Sequence, residues 1–147
     1  MTSTPGLPAF SYSHVIETAV PASAIWDLYE DVTSWPQWDA QAELITRDGP
    51  FATGTTGTMK FAGQEPLRYL LAKVDPLREF VDETDVGDLT VRVSHLLEPT
   101  GDGRLRITYA ARIDGPPEQA AEAGPAITAD FPATMNSLIA LARKRAG

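Results

Sequence analysis

The stretch "VPASAIWDLYEDVTSWPQWDA", residues 20–40, contains all three tryptophans of the chain, Trp26, Trp35 and Trp38. Val20 closes an alternating run. Phe10, Tyr12, His14, Ile16, Thr18 and Val20 share one parity, so a strand over 10–20 places them on one face. Pro21 ends that strand and opens a helix, in which Ile25, Leu28, Tyr29 and Val32 recur at helical spacing with Trp26 alongside. Ser34, Trp35 and Pro36 predict a second, very short helix, with Ser34 as its cap and Pro36 in its first turn. Indole offers a large apolar area plus one N–H that needs a partner, which suits a seam between two layers.

Beyond this corner the rhythm changes. Turn signals recur at "RDGP" (47–50), "AGQEP" (62–66), "DPLRE" (75–79), "DVGD" (85–88) and "PTGDGR" (99–104), a spacing that predicts an antiparallel meander. The strands between them lie near 40–47, 55–62, 66–74, 79–85, 89–98 and 104–114. In the penultimate strand Leu89, Val91, Val93, His95 and Leu97 alternate with Thr90, Arg92, Ser94 and Glu98. In the last, Leu105, Ile107, Tyr109, Ala111 and Ile113 alternate with Arg104, Arg106, Thr108 and Arg112. One face of the sheet is therefore wet and the other covered. The cover comes last: Ile127, Phe131, Met135, Leu138 and Leu141 or Ala142 recur at steps of three and four, predicting a helix over 126–145 across the concave face. Pro132 either sits in its first turn or kinks it, and 116–125 reads as a short helical turn or loop.

The 147 residues fit a flexible N-terminal arm over 1–9 and one domain over 10–147. With 43% hydrophobic and 22% charged residues the chain is an ordinary globular one. A net charge of −8 argues against nucleic acid and against stable membrane binding. The basic end "ARKRAG" (142–147) suits a helix C-terminus, where the macrodipole favours cations. The absence of cysteine excludes disulfides and thiolate chemistry. The opening "MTSTPGLPAF" has no signal-peptide pattern and no run is long enough to span a bilayer, so the expected location is cytoplasmic.

The order strand, helix, short helix, six-strand meander and long C-terminal helix, taken with Val20-Pro21-Ala22, Ile25-Trp26, Asp31 and Trp35-Pro36-Gln37-Trp38, resembles the START-like helix-grip superfamily (SRPBCC). Within it, the similarity is greatest to the polyketide cyclase/dehydratase and lipid-transport branch. The resemblance implies an α+β helix-grip fold: a curved seven-stranded antiparallel sheet around the C-terminal helix, with a cavity between them. Members bind lipids, hormones, flavonoid-like and polyketide molecules there, and only some catalyse a reaction. The implied partner is a small hydrophobic ligand or substrate, on a monomer or homodimer, with no cofactor. A cavity of about the usual few hundred Å³ is expected. Its walls are assigned to Tyr12, Trp26, Met59, Phe61, Tyr69, Phe80, Val91, Val93, Phe131, Met135 and Leu138.

Two functions compete: an enzyme that folds a polyketide-like chain and closes a ring or removes water, and a non-catalytic carrier or sensor. For the enzyme, His95 is the first candidate for general acid/base and His14 the second, with Tyr109 as hydrogen-bond donor; parity puts all three on the covered face. For a carrier, the same groups simply line the pocket. In aromatase/cyclase members pocket arginines orient the poly-ketone, whereas here Arg92, Arg104, Arg106 and Arg112 fall on the wet face. No metal site is expected, because His14, His95 and a carboxylate such as Asp82 would have to converge from separate strands. The acidic run "DETDVGD" (82–88) reads as a solvated hairpin tip, and "GTTG" (54–57) lacks the lysine and helix of a phosphate loop.

Overall fold

The computed structural model describes residues 7–146; most of the predicted arm, 1–6, lies outside them, as does Gly147. The elements are β1 (Phe10–Thr18), α1 (Ala22–Glu30), a single 3-10 turn (Val32–Ser34), α2 (Trp35–Trp38) and β2 (Ala42–Ile45). They continue as β3 (Thr56–Phe61), β4 (Leu67–Asp75), β5 (Glu79–Val86), β6 (Leu89–Pro99), β7 (Leu105–Asp114), α3 (Pro117–Thr128) and α4 (Phe131–Ala146). One antiparallel sheet runs in the order β1-β7-β6-β5-β4-β3-β2. The meander thus pairs neighbour with neighbour, and β1 closes against the last strand. The α1–α2 excursion carries the chain from one edge of the sheet to the other. This is the curved seven-stranded α+β architecture expected.

The C-terminal helix begins earlier than its apolar stripe suggests. Residues 116–125, expected as a short turn or loop, lie largely within α3, whose first residue Pro117 needs no N–H partner there. The two helices form a 30-residue span interrupted at Ala129–Asp130. Pro132 explains the interruption: it cannot donate the backbone bond that would continue α3, so it falls in the first turn of α4. There the Asp130 carbonyl accepts the Thr134 N–H at 2.8 Å. Helix α3 packs on β1 and β7, while α4 packs on α1, α2 and β1.

Local chemistry fixes the corner. The Ser34 side chain makes no cap bond, contrary to its expected role; its hydroxyl donates to the Leu28 carbonyl at 3.1 Å and accepts the Trp38 indole N–H at 3.4 Å. The Trp35 indole donates to the Tyr29 carbonyl at 3.2 Å, so both indoles satisfy their N–H while burying their rings. Helix α1 buries Ile25, Trp26, Leu28 and Tyr29, each of the order of 1.5–3 kcal/mol. Gly57 on β3 marks a close crossing, because a Cβ there would meet the Thr46 carbonyl at 2.1 Å and the Tyr69 ring at 2.5 Å.

Candidate functional site

Strand pairing arranges the concave face in rows. One row runs from His14 on β1 through Tyr109 on β7 and His95 on β6 to Phe80 on β5. The next runs Tyr12, Ala111, Val93, Asp82 and Leu71. The three candidates His14, Tyr109 and His95 therefore fall side by side across three strands, as period-two alternation demands. Tyr109 and His95 are buried, whereas His14, on the edge strand β1, is half-buried.

His95 is the most constrained of the three. Its ring stacks on Phe80 at 3.9 Å between centroids and 5° between planes, and meets Tyr109 edge-on at 4.6 Å. Nδ1 lies 3.3 Å from the Phe80 carbonyl. A carbonyl only accepts, so in the neutral ring the proton belongs on Nδ1 and Nε2 presents a lone pair. Nε2 faces Asp82 Oδ2 at 3.8 Å. Burial pulls the imidazole down to about 3, against the Phe80 and Val93 carbonyls, which favour the charged form. Burial also pushes the Asp82 carboxyl up to about 7.

Above this pair, the Tyr29 hydroxyl of α1 and the Tyr109 hydroxyl lie within hydrogen-bond reach at 3.4 Å; either phenol can donate, so the pair keeps one proton to offer elsewhere. Burial raises the pKa of both phenols, so both stay protonated at neutral pH. At the rim, burial and then the charge of Asp130 raise Asp39, against the Gln41 N–H that its carboxylate accepts. Asp39 lies at the α2–β2 corner and Asp130 at the α3–α4 joint.

The residues assigned to the wall all face the interior. Trp26, Met59, Tyr69, Phe80, Phe131, Met135 and Leu138 are buried in the main core, with Tyr12, Phe61 and Val93 packed against it. Val91 is buried in a smaller cluster with Leu89, Ile113 and Ala120 beneath α3. The rings are in mutual contact: Tyr29 on Phe80 at 4.9 Å, Trp26 on Phe51 at 5.7 Å, Tyr109 on Phe131 at 5.7 Å. The hollows of the expected size are not walled by this set, of which only Tyr69 borders one. One of about 290 Å³ lies in the seam between the end of β1 and α4, bounded by Ile16, Thr18, Arg104, Ile139 and Arg143. The other, about 260 Å³, is bounded by Thr56, Arg68, Tyr69 and Glu83.

Arg92, Arg106 and Arg112 stay on the wet face, paired with Glu83, Glu17 and Asp114. Arg68 bonds outward to Asp48, and Arg78 pairs across its turn with Asp75 at 3.9 Å. The acidic run 82–88 is not one solvated tip: Asp82 and Thr84 are buried, and only its end, residues 85–88, is exposed, with the turn at 87–88. Asp82 and Tyr29 are the site groups that sequence reasoning missed as proton or hydrogen-bond partners. The parity of Phe80, Asp82 and Thr84 was the available signal. Among the described residues no group of three His, Asp or Glu side chains is placed to hold a metal ion, and no helix is long and apolar enough to cross a membrane.

A model of the family described as polyketide cyclase / dehydrase and lipid transport matches residues 9–143. Norcoclaurine synthase from Thalictrum flavum, solved in complex with dopamine and hydroxybenzaldehyde, superposes with a TM-score of 0.73 at 20% identity, covering 92% of this chain and 87% of that one. An aromatase/cyclase from a Streptomyces species gives a TM-score of 0.78 at 14% identity, covering 94% and 96%. A hypothetical protein from Helicobacter pylori gives 0.78 at 16% identity, covering 97% and 99%. At these identities the likeness is one of fold. No curated protein sequence matches the chain.

Proposed function

This chain belongs to the polyketide cyclase / dehydrase and lipid transport family, and on that premise we propose that it binds a small hydrophobic, polyketide-like molecule against the concave face of its sheet. There it promotes an acid/base step of ring closure or loss of water. The observation that carries this reading is the grouping of Asp82, His95, Tyr109 and Tyr29 amid aromatic rings on one face. Apolar walls alone serve a carrier. A ring closure needs a group that removes a proton from carbon beside a carbonyl and a donor that meets the developing enolate oxygen. The spare proton of the Tyr29–Tyr109 pair fits the second role. Solved proteins of the same fold support the ligand class, since one holds dopamine and hydroxybenzaldehyde and another is an aromatase/cyclase.

The reading is tested by titrating the protein with an aromatic polyketide such as emodin and, separately, with oleic acid, while recording tryptophan fluorescence. All three indoles lie in the buried core beside Tyr29 and Phe80, so a ligand entering there changes their emission. Saturable quenching by the polyketide supports the proposal. Quenching by the fatty acid alone favours a lipid carrier, and no response to either rejects ligand binding at this face.

A further inference from the structure

His95 was the natural choice for proton carrier from sequence, but its surroundings suit another role. We infer that Asp82, not His95, is the group that exchanges a proton with a bound carbonyl compound, and that His95 positions it; this rests on the ligand reading above.

Three geometric observations converge on Asp82. First, it sits on the concave face opposite Leu71 and Val93, two apolar neighbours, with only 8% of the residue exposed. Second, its carboxyl makes no hydrogen bond with another described residue: its one polar contact is His95 Nε2 at 3.8 Å, and the side chain keeps 11% of its surface open, so its oxygens are not sealed away from a ligand. A structural buried carboxylate is normally tied down by two or three donors, and this one has none. Third, the Phe80 carbonyl fixes the His95 proton on Nδ1. The bare Nε2 can accept from a protonated carboxyl but repels a carboxylate. The resting partner is thus a carboxylic acid, and its ionised form is held loosely and poorly solvated, which is the condition of a reactive base.

The groups that face Asp82 agree. They are His95 from β6, Tyr69 from β4 and Tyr109 from β7, with Asp39 of the α2–β2 corner acting on Tyr109. None of the first three carries charge at neutral pH: burial holds the imidazole neutral and the Tyr69 phenol protonated, up to about 12. Among the described residues no cation stabilises the carboxylate, and burial alone moves it to about 7. In the forward step the carboxylate takes a proton from the carbon beside a carbonyl. The C–H pair becomes the enolate double bond, and charge passes to oxygen, toward the Tyr109 hydroxyl. In a dehydration the same carboxyl returns its proton to the departing hydroxyl, which leaves as water.

The test uses 5-nitrobenzisoxazole, a flat aromatic probe whose ring C–H proton is removed by a base while the N–O bond breaks and leaves a coloured nitrophenolate. The parent protein, Asp82→Asn and His95→Gln are compared for phenolate release and for tryptophan quenching by the probe. Loss of Asp82 should slow release by about 10²-fold or more, with quenching retained. In the parent, the rate should rise with pH through a midpoint near 7. His95→Gln should lower that midpoint, because the glutamine amide can donate to the carboxylate, a shift that a merely structural role for His95 would not produce. Should Asp82→Asn fold poorly by circular dichroism, infrared difference spectra of the parent decide: a protonated carboxylic-acid band should disappear through the same midpoint. Quenching with an Asp82-independent rate overturns this inference and leaves ligand binding intact. Absence of both quenching and catalysis overturns the two together.

Discussion

Removing Asp82 or His95 should tilt the pH dependence of stability in opposite directions. Below its unfolded pKa of 3.8, Asp82 is protonated in both states; between there and about 7 the native state keeps a proton that the unfolded chain has lost. Stability from this group is therefore full at low pH and is lost as pH rises to about 7. His95 does the reverse. Between about 3 and 6.5 the unfolded imidazole is charged and the native one is not, so its contribution is full above 6.5 and is lost as pH falls. At about 1.36 kcal/mol per pH unit, the interval from 3.8 to about 7 is worth about 4 kcal/mol and that from 6.5 to about 3 about 5 kcal/mol. Relaxation and residual exposure of the two side chains, 11% and 8%, bring the measurable effect to about 2–4 kcal/mol each.

In the parent the two slopes oppose one another over about pH 4–6.5 and largely cancel. Urea unfolding of parent, Asp82→Asn and His95→Phe, followed by tryptophan fluorescence from about pH 4 to pH 8, separates them. Asp82→Asn should gain on the parent as pH rises to 7, and His95→Phe should gain on it as pH falls. Taking differences from the parent removes every other titrating group. An ion pair between Asp82 carboxylate and His95 imidazolium would invert both difference curves, and that inversion would refute the reasoning.

Two further outcomes follow from the packing. Gly124→Ala should destabilise the fold by about 1–3 kcal/mol despite better helix propensity, because a Cβ there meets the Phe10 ring at 2.5 Å; a raised melting temperature would show that α3 does not press on β1 in this way. Tyr29→Phe should cost about 1 kcal/mol in urea unfolding through loss of the bond to Tyr109, and unchanged stability would argue that the two hydroxyls are not coupled.

Much of this was legible in the chain, for reasons that differ by segment. Strands β6 and β7 are covered on one face only, so their alternation places His95 and Tyr109 inward without any knowledge of register. The corner was readable because Pro21 and the spaced apolar residues of α1 are local signals. Helix α3 was not, because alanines, Gly124 and three prolines at 116, 117 and 125 give weak propensity and little apolar stripe; its packing on β1 and β7 decides the outcome. Asp82 escaped because it was read as one of a run of acids. The run is a strand end whose members take opposite sides: Glu83 and Asp85 outward, Asp82 and Thr84 inward. Parity would have found Asp82, but the contact with His95 needed the β5–β6 register, which places Asp82 opposite Val93 and so diagonal to His95.

That diagonal is also the strongest reason to regard the pair as functional. A structural role for Asp82 would be served better by an apolar residue, since Leu71 and Val93 in its row and Phe80 two positions before it on β5 are already packed in the core. Burying an ionisable carboxyl there costs stability above pH 4, and burying the imidazole costs it below 6.5. Neither residue recovers that cost through a close salt bridge, because 3.8 Å and a bare Nε2 do not make one. The outer face shows what this sequence does when charge serves structure: Arg92–Glu83 at 2.6 Å and Arg106–Glu17 at 3.1 Å, exposed and directly bonded. The inner pair has the opposite design, buried and loosely held. Such a site destabilises the resting fold in return for a proton that is free to move, which is what a catalytic face requires and a purely structural core avoids.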